Sequence, residues 1–368
     1  MAAVTGRDLI VLDGSLGEGG GQVLRTALSL AAVTRNPFRI ERVRQGRLKP
    51  GLRPQHVAAA RATARLCAAR TEGDEVGSSE ILFEPRDLAT PGALRVDIGT
   101  AGSAPLLFQT LCWPLALAGG ECALTLSGGT HQDQSPSFHY LALVWGPAVA
   151  RLGFPFEFSL QRAGFYPEGG GEFTALVRPA RAMPPLDLTH RGMLQEAEAI
   201  GLCGGAGSGE AGRLATRAER RMRERGVVGP GRALPMPAGP SRGCHVLVLA
   251  RFDRTVSGHG ATADASREPE RAADAAVAAF GRFLDSRAAV DPHLGDQLLL
   301  PAALVASGLA PRPDGVDRST RYTVSEVTSH LRTNAEVIRR FLPVEIAIVG
   351  DPGGEGTVSV GPRTSRAS

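Results

Sequence analysis

Three stretches of this chain repeat one plan, and an internal repeat restricts the possible folds more than any other sequence feature. Each stretch opens with a turn of small residues and an apolar helix, at 22–35, 104–117 and 296–308. A short strand-like run follows each helix, at 38–43, 122–126 and 322–327. Next comes a polar loop and a second helix, starting near Arg53, Ser135 and Leu331. Apolar residues recur at helical spacing in most of these segments. Paired strand-like runs then close each unit: 81–84 with 94–98, 154–160 with 172–177, and 344–349 with 357–360. The pattern predicts an α/β (α+β) fold of three βαβαββ repeats about a pseudo-threefold axis, helices inside and sheets outside.

Residues 184–290 break the pattern. They hold a glycine-rich stretch at 201–212, an Arg/Glu-rich helix at 213–225, a strand at 244–252 and a helix at 268–286. The shift in composition and the Pro/Gly flanks mark a small inserted α/β domain. The expected organisation is therefore repeats one and two at 1–183, the insert at 184–290, and repeat three with a fraying tail at 291–368. The Arg/Glu helix reads first as a solvated face.

With 43% hydrophobic and 21% charged residues, a chain of 368 can bury its core without disulfides or a structural metal. Cys67, Cys112, Cys122, Cys203 and Cys244 show no CxxC spacing and read as buried free thiols. No apolar run approaches the roughly 20 residues of a membrane span, and no signal peptide is visible, so a cytoplasmic location without membrane contact is expected. A net charge of +4 and a pI near 9.0 permit a nucleic-acid partner without selecting one. Lys49 is the only lysine among 41 Lys and Arg residues, so chemistry that needs a nucleophilic lysine has one candidate.

The loop before the second helix holds the same place in each repeat. In the first it carries Arg44, Arg47 and Lys49, suited to phosphate oxygens and equally to a solvated loop. In the second, Ser127-Gly128-Gly129-Thr130-His131 offers backbone N–H groups; His131 and His139 read as capping or surface residues. In the third, His330 sits among hydroxyls at a helix entrance, where the helix N-terminus favours the neutral, nucleophilic imidazole. Upstream, Gly14–Gly21 joins a strand to a helix and suits an anion, or is a plain capped turn. Within it Glu18 suits a magnesium ion shared with phosphate, and Arg25 lies one turn into the helix. His56, after Pro54, reads as a polar core residue, and the run 165–172 as a structural hairpin.

Taken together, the strings LDGSLGEGGGQVLRTALSL, VRQGRLKPGLRPQH, TAGSAPLLFQT, RAGFYPEGGGE, HLGDQLLLP and SHLRTN resemble the RNA 3'-terminal phosphate cyclase family. The resemblance covers about three quarters of the chain and is weak in the insert. It implies a reaction in which His330 takes AMP from ATP, passes it to an RNA 3'-phosphate, and the vicinal 2'-OH closes a 2',3'-cyclic phosphate. It also implies that Gln109, His293, Leu294, Gly295, Asp296 and Gln297 bind the nucleotide. Glu18 would lie by a divalent ion (Mg or Mn), and Arg25, Arg44, Arg47 and Lys49 would meet phosphates. Two departures stand out: His293 occupies a position that is often aromatic in the family, and Gly295 replaces a small side chain. The competing readings are a non-catalytic cyclase-like RNA-binding protein, which lacks the nucleophilic histidine, and an enolpyruvyl-type transferase, which would need more lysines. The RNA substrate and the oligomeric state stay open.

Overall fold

A computed structural model of the chain describes residues 8–17, 20–205, 208–263 and 268–363. The first unit runs β1 (Ile10–Asp13), α1 (Gln22–Thr34), β2 (Phe38–Glu41), α2 (Pro54–Leu66), β3 (Arg70–Glu72) and β4 (Ile81–Glu84). The second runs β5 (Ala93–Asp97), α3 (Ala104–Ala116), β6 (Cys122–Gly128), α4 (Phe138–Tyr140), a π-helical turn (Leu141–Trp145), α5 (Gly146–Ala150), β7 (Phe156–Arg162) and β8 (Gly171–Val177). The third is assembled from β9 (Leu186–Leu188) and, after the insert, α8 (Pro292–Gln297), α9 (Leu299–Ala306), β14 (Thr320–Val324), α10 (Ser329–Phe341), β15 (Val344–Val349) and β16 (Gly356–Pro362).

The three sheets share one topology. Their strand orders are β1-β2-β4-β3, β5-β6-β8-β7 and β9-β14-β16-β15. In each, the first pair is parallel and the remaining pairs are antiparallel. α1 is buried almost all round because it packs against α2, α3 and α10. One apolar core joins all three units.

Two strand assignments change. The run 94–98 does not close the first unit; it opens the second sheet as β5, and β4 pairs instead with β3. β3 reads Arg-Thr-Glu, a charged edge strand with no apolar alternation to reveal it. β9 belongs to the third sheet although it falls inside 184–290, since Leu186–Leu188 pairs in parallel with Thr320–Tyr322.

The insert proper has the sheet order β11 (Gly231–Ala233), β10 (Leu194–Gly204), β12 (Gly243–Phe252), β13 (Val256–Ala263), with α6 (Ser208–Glu224) and α7 (Pro269–Asp285) on it and a core of its own. Arg217 and Arg221 of α6 pair with Asp274 of α7, so this Arg/Glu face holds two helices together. Cys203 and Cys244 face each other across the β10–β12 ladder and are disulfide-bonded, against the expectation of five free thiols; Cys67, Cys112 and Cys122 are free and buried. A sequence separation of 41 hides a cross-strand neighbour. Both ends of the insert return to β14: the Thr323 hydroxyl donates to Thr189 O (3.1 Å) and accepts from Ala289 N (2.9 Å). Among the described residues no helix is long and apolar enough to cross a membrane.

Candidate active site

A cleft of about 600 Å³ lies between the repeat domain and the insert. Its floor is the glycine turn and first turn of α1, its flanks are the first-repeat cation loop and the α8 and α10 entrances, and β13 of the insert covers it. The first two turns of α1 carry Gln22, Arg25, Thr26 and Ser29 at i, i+3, i+4 and i+7, a polar stripe on a mostly apolar helix. Gln22 and Thr26 of that stripe bond the third repeat and Ser29 bonds Thr110 O of the second, so the stripe orders the centre of the site.

His330 is the second residue of α10, whose entrance is capped by Thr328 Oγ1 accepting from Leu331 N at 3.1 Å. Its Nδ1 lies 2.7 Å from Gln22 Oε1. The Gln22 amide is oriented by its Nε2, which donates to Asp296 Oδ1. Oε1 is then an acceptor, so Nδ1 carries the proton and Nε2 of His330 holds the lone pair. Asp296 is held in turn by Asn334 Nδ2 at 3.1 Å, and Asn334 Oδ1 accepts from Thr26 Oγ1 at 2.8 Å. Burial pushes the Asp296 carboxyl above the usual range. Asp296, Gln22 and His330 thus form a relay that fixes one tautomer.

Positive charge surrounds this ring. Gly20 separates Arg47 from His330: a Cβ there would lie 3.4 Å from Arg47 Nη2 and 3.7 Å from His330 Cε1. A Cβ at Gly21 would collide with Arg25 and with His56 Nε2, so the second glycine is fixed by crowding. Burial lowers Arg25 to about 10, which leaves it charged at neutral pH. Arg44, in the left-handed region at φ 55°, donates from Nη1 to Lys49 O (2.9 Å) and Gly51 O (3.1 Å), which stiffens the cation loop. His56 is a site residue as well as a buried one. Its Nδ1 accepts from Arg53 N at 3.0 Å, and burial holds the ring at about 3, so a neutral ring presents Nε2–H beside Gly21.

The expected residues divide as follows. Arg25, Arg44, Arg47, His293, Asp296, Gln297 and His330 line the cleft. Gln109 lies beneath it, in a cavity of about 80 Å³ between α1 and α3, with Nε2 donating to Gln297 Oε1 at 2.7 Å. Leu294 and Gly295 turn into the core instead: Leu294 is fully buried, and a Cβ at Gly295 would meet Val324 Cγ1 at 2.5 Å. Lys49 is exposed and does not line the cleft; its carbonyl, not its amine, serves the site. Glu18 lies outside the described residues. Gln22, Gln55, His56 and Pro136 line the cleft without having been expected there. For Gln22 the polar stripe was the available signal; Gln55 and Pro136 had none.

The second-repeat loop does something else. Gly129, Thr130 and His131 spend their N–H groups on Gly102 O (2.8 Å) and Gly164 O (2.8 and 3.1 Å), so none is available to an anion. His131 is fully buried rather than at the surface. Its Nε2 bonds His139 Nδ1 at 2.8 Å, its Nδ1 bonds Thr130 Oγ1 at 2.8 Å, and its ring stacks on Phe165 and meets His245 of the insert edge-on. This loop forms the joint between the two domains.

Comparison with known proteins shows the family. The model of the family described as RNA 3'-terminal phosphate cyclase matches residues 16–348. A relative of that name from Ralstonia nicotianae is 40% identical over 344 residues, covering 92% of this chain and 93% of its own. Others are 38% identical, in Trichormus variabilis (90% and 94% covered), and 37%, in Salmonella enteritidis (92% and 95%). A solved enolpyruvyl transferase from Streptomyces tendae is similar over 46% of this chain and 33% of its own at 13% identity, with a TM-score of 0.26, too slight to bear on the fold. With its model spanning nearly all of the three repeats and the insert, the chain belongs to the RNA 3'-terminal phosphate cyclase family.

Proposed function

We propose that the chain converts an RNA 3'-terminal phosphate to a 2',3'-cyclic phosphodiester at the expense of ATP, with His330 as the nucleophile. The observation that carries this reading is the Asp296–Gln22–His330 relay, because it favours the tautomer whose lone pair lies on Nε2. Nε2 attacks the α-phosphorus of ATP, the bond to the bridging oxygen breaks, and pyrophosphate leaves. Arg25, Arg44 and Arg47 stabilise the charge that spreads over the equatorial oxygens. The Nδ1–H bond to Gln22 keeps the adenylated ring cationic and therefore a good leaving group.

An oxygen of the RNA 3'-phosphate then attacks the same phosphorus, the N–P bond breaks, and an RNA–AMP anhydride forms. The vicinal 2'-OH attacks the terminal phosphorus, AMP departs, and the hydroxyl proton passes to solvent. His293, exposed at the cleft rim, and Gln297 are the proposed nucleotide contacts, with Gln109 positioning Gln297. A divalent ion would neutralise ATP phosphates. Its proposed carboxylate ligand is Glu18, sharing the ion with phosphate oxygens; among the described residues the cleft carboxylates are Asp133 and Asp296. The test is intact-mass and peptide mapping after incubation with ATP alone: AMP is expected on the peptide bearing His330, and its absence, or AMP on another residue, refutes the assignment.

A further inference from the structure

The substrate is a polymer, so a strand whose last phosphate sits at His330 must leave the cleft by some route. Two cavities adjoin the cleft. One, about 220 Å³ on the α10 side, carries Asp296 and Glu326 and no Arg or Lys. The other, about 460 Å³ over the second repeat, shares Gln55, Gln132, Asp133 and Thr262 with the cleft and adds Arg53 and Tyr166. Beyond it, and sharing Pro54, a third concavity of about 350 Å³ follows the outer face of α2, with Arg61, Arg65 and Arg95 along it.

Tyr166 is the anomaly. It is 61% exposed, the only ring among the exposed large hydrophobic residues described. Its neighbour Phe165 is fully buried in the domain joint, with its N–H donating to Ser241 Oγ at 2.7 Å. Ser241 Oγ also donates to Gly169 O at 3.0 Å, so the turn is tied on both sides. An anchored turn that holds an aromatic face out at a cavity rim suits a stacked base, since single-stranded RNA is gripped by aromatic faces and by cations along its backbone. Among the described residues Arg53 and Arg65 have no carboxylate partner, whereas Arg61 and Arg95 pair with Asp74 and Glu172.

We infer that the RNA strand runs from His330 through this second cavity and onto the outer face of α2, a nucleotide upstream of the terminal phosphate stacking on Tyr166 and phosphates meeting Arg53 and Arg65. The inference rests on the cyclase reading for which end of the RNA lies in the cleft. Electrostatics favour this exit: the alternative cavity presents Asp296 and Glu326 and no Arg or Lys, while this one sets Arg53 and an aromatic face beside one carboxylate, Asp133, and leads on to three guanidinium groups against one carboxylate, Asp97.

The probe is a fluorescein-labelled pentaribonucleotide with a 3'-phosphate, its Kd measured by anisotropy on the full chain. Tyr166→Ala raises Kd about 5- to 100-fold, as loss of one base stack does. Tyr166→Phe stays within about twofold, since the face is kept, and Arg65→Glu weakens binding with a shallower salt dependence. A nucleoside 3'-phosphate, too short to reach Tyr166, competes for the cleft of wild type and Tyr166→Ala equally. If Tyr166→Ala and Arg65→Glu both bind the pentanucleotide as wild type does, the route is wrong. His330 adenylation by ATP alone, scored by mass, needs no RNA: its failure in the wild type overturns the cyclase reading, while the binding series still judges the route.

Discussion

The third repeat carries His330 in the first turn of its second helix, the second carries His131 in the loop ahead of its own, and the two rings meet opposite fates. His330 lines an open cleft with one nitrogen tied to Gln22. His131 is fully buried with both nitrogens occupied, by Thr130 and His139. The backbone plan is shared; what differs is the neighbour. α1 offers the third repeat Gln22 and Thr26, whereas His131 is closed in by Phe165 of its own repeat and by His245 of the insert. A histidine at or ahead of the second helix therefore lines the cleft in one repeat and builds the domain joint in another, and local sequence alone does not tell which.

Exchanging the losses breaks the comparison most sharply. His330→Ala is expected to abolish adenylation while leaving the thermal midpoint near wild type. His131→Ala is expected to leave adenylation measurable and to destabilise by about 1–3 kcal/mol, the cost of stranding buried polar partners. Chemical denaturation and ATP labelling of both variants check this; equal loss of labelling in both would erase the distinction.

The relay comes next. Gln22→Leu removes the acceptor that holds the Nδ1 proton, so both tautomers are populated and Asp296 loses a donor. An adenylation rate lower by about 100-fold, with a smaller change in the KM for ATP, is expected when the nucleophile is no longer held in one orientation. A single-turnover rate unchanged within twofold would remove Gln22 from the mechanism. Arg44→Ala should cost about 1.5–3 kcal/mol of transition-state stabilisation, the range for a charge-assisted hydrogen bond, read from kcat/KM.

The smallest effect separates the regions by pH. Burial lowers His139 to about 4 and His245 to about 3, and holds His131 well below the ordinary imidazole value. Folded pKa values below the unfolded 6.5 mean that the unfolded chain binds protons the native joint refuses. Their contribution is flat above about pH 6.5, and stability falls as pH drops from there toward 4. His56 and His259, both lowered to about 3, add to the same slope. His139→Gln should flatten the slope between pH 6.5 and 4.5 by about one proton, near 1.4 kcal/mol per pH unit. An unaltered slope in denaturation series would show that the joint does not titrate as described.

Most of the repeat was legible because helices such as α1 and α3 are apolar enough to declare themselves, and strands such as β8 alternate cleanly. β3 and β9 were not: each is three residues long and registers only through the strand it pairs with. The cations and His330 could be read from their loops, since charge and helix position are local properties. Gln22 and His56 could not be ranked, because their importance comes from packing between α1, α2 and α10. Nor could the burial of Leu294 and Gly295 within a run whose other members face the cleft, or the Cys203–Cys244 pair, which depends on register across β10 and β12.

The hydroxyl of Thr323 touches the chain just before the insert departs and just after it returns. About a hundred residues thus leave and re-enter through a gate one side chain wide. A detachable module of this kind can be lost, acquired or traded by a short splice at the gate without re-threading the third sheet. The roof of the cleft therefore hangs from a strand of the third sheet.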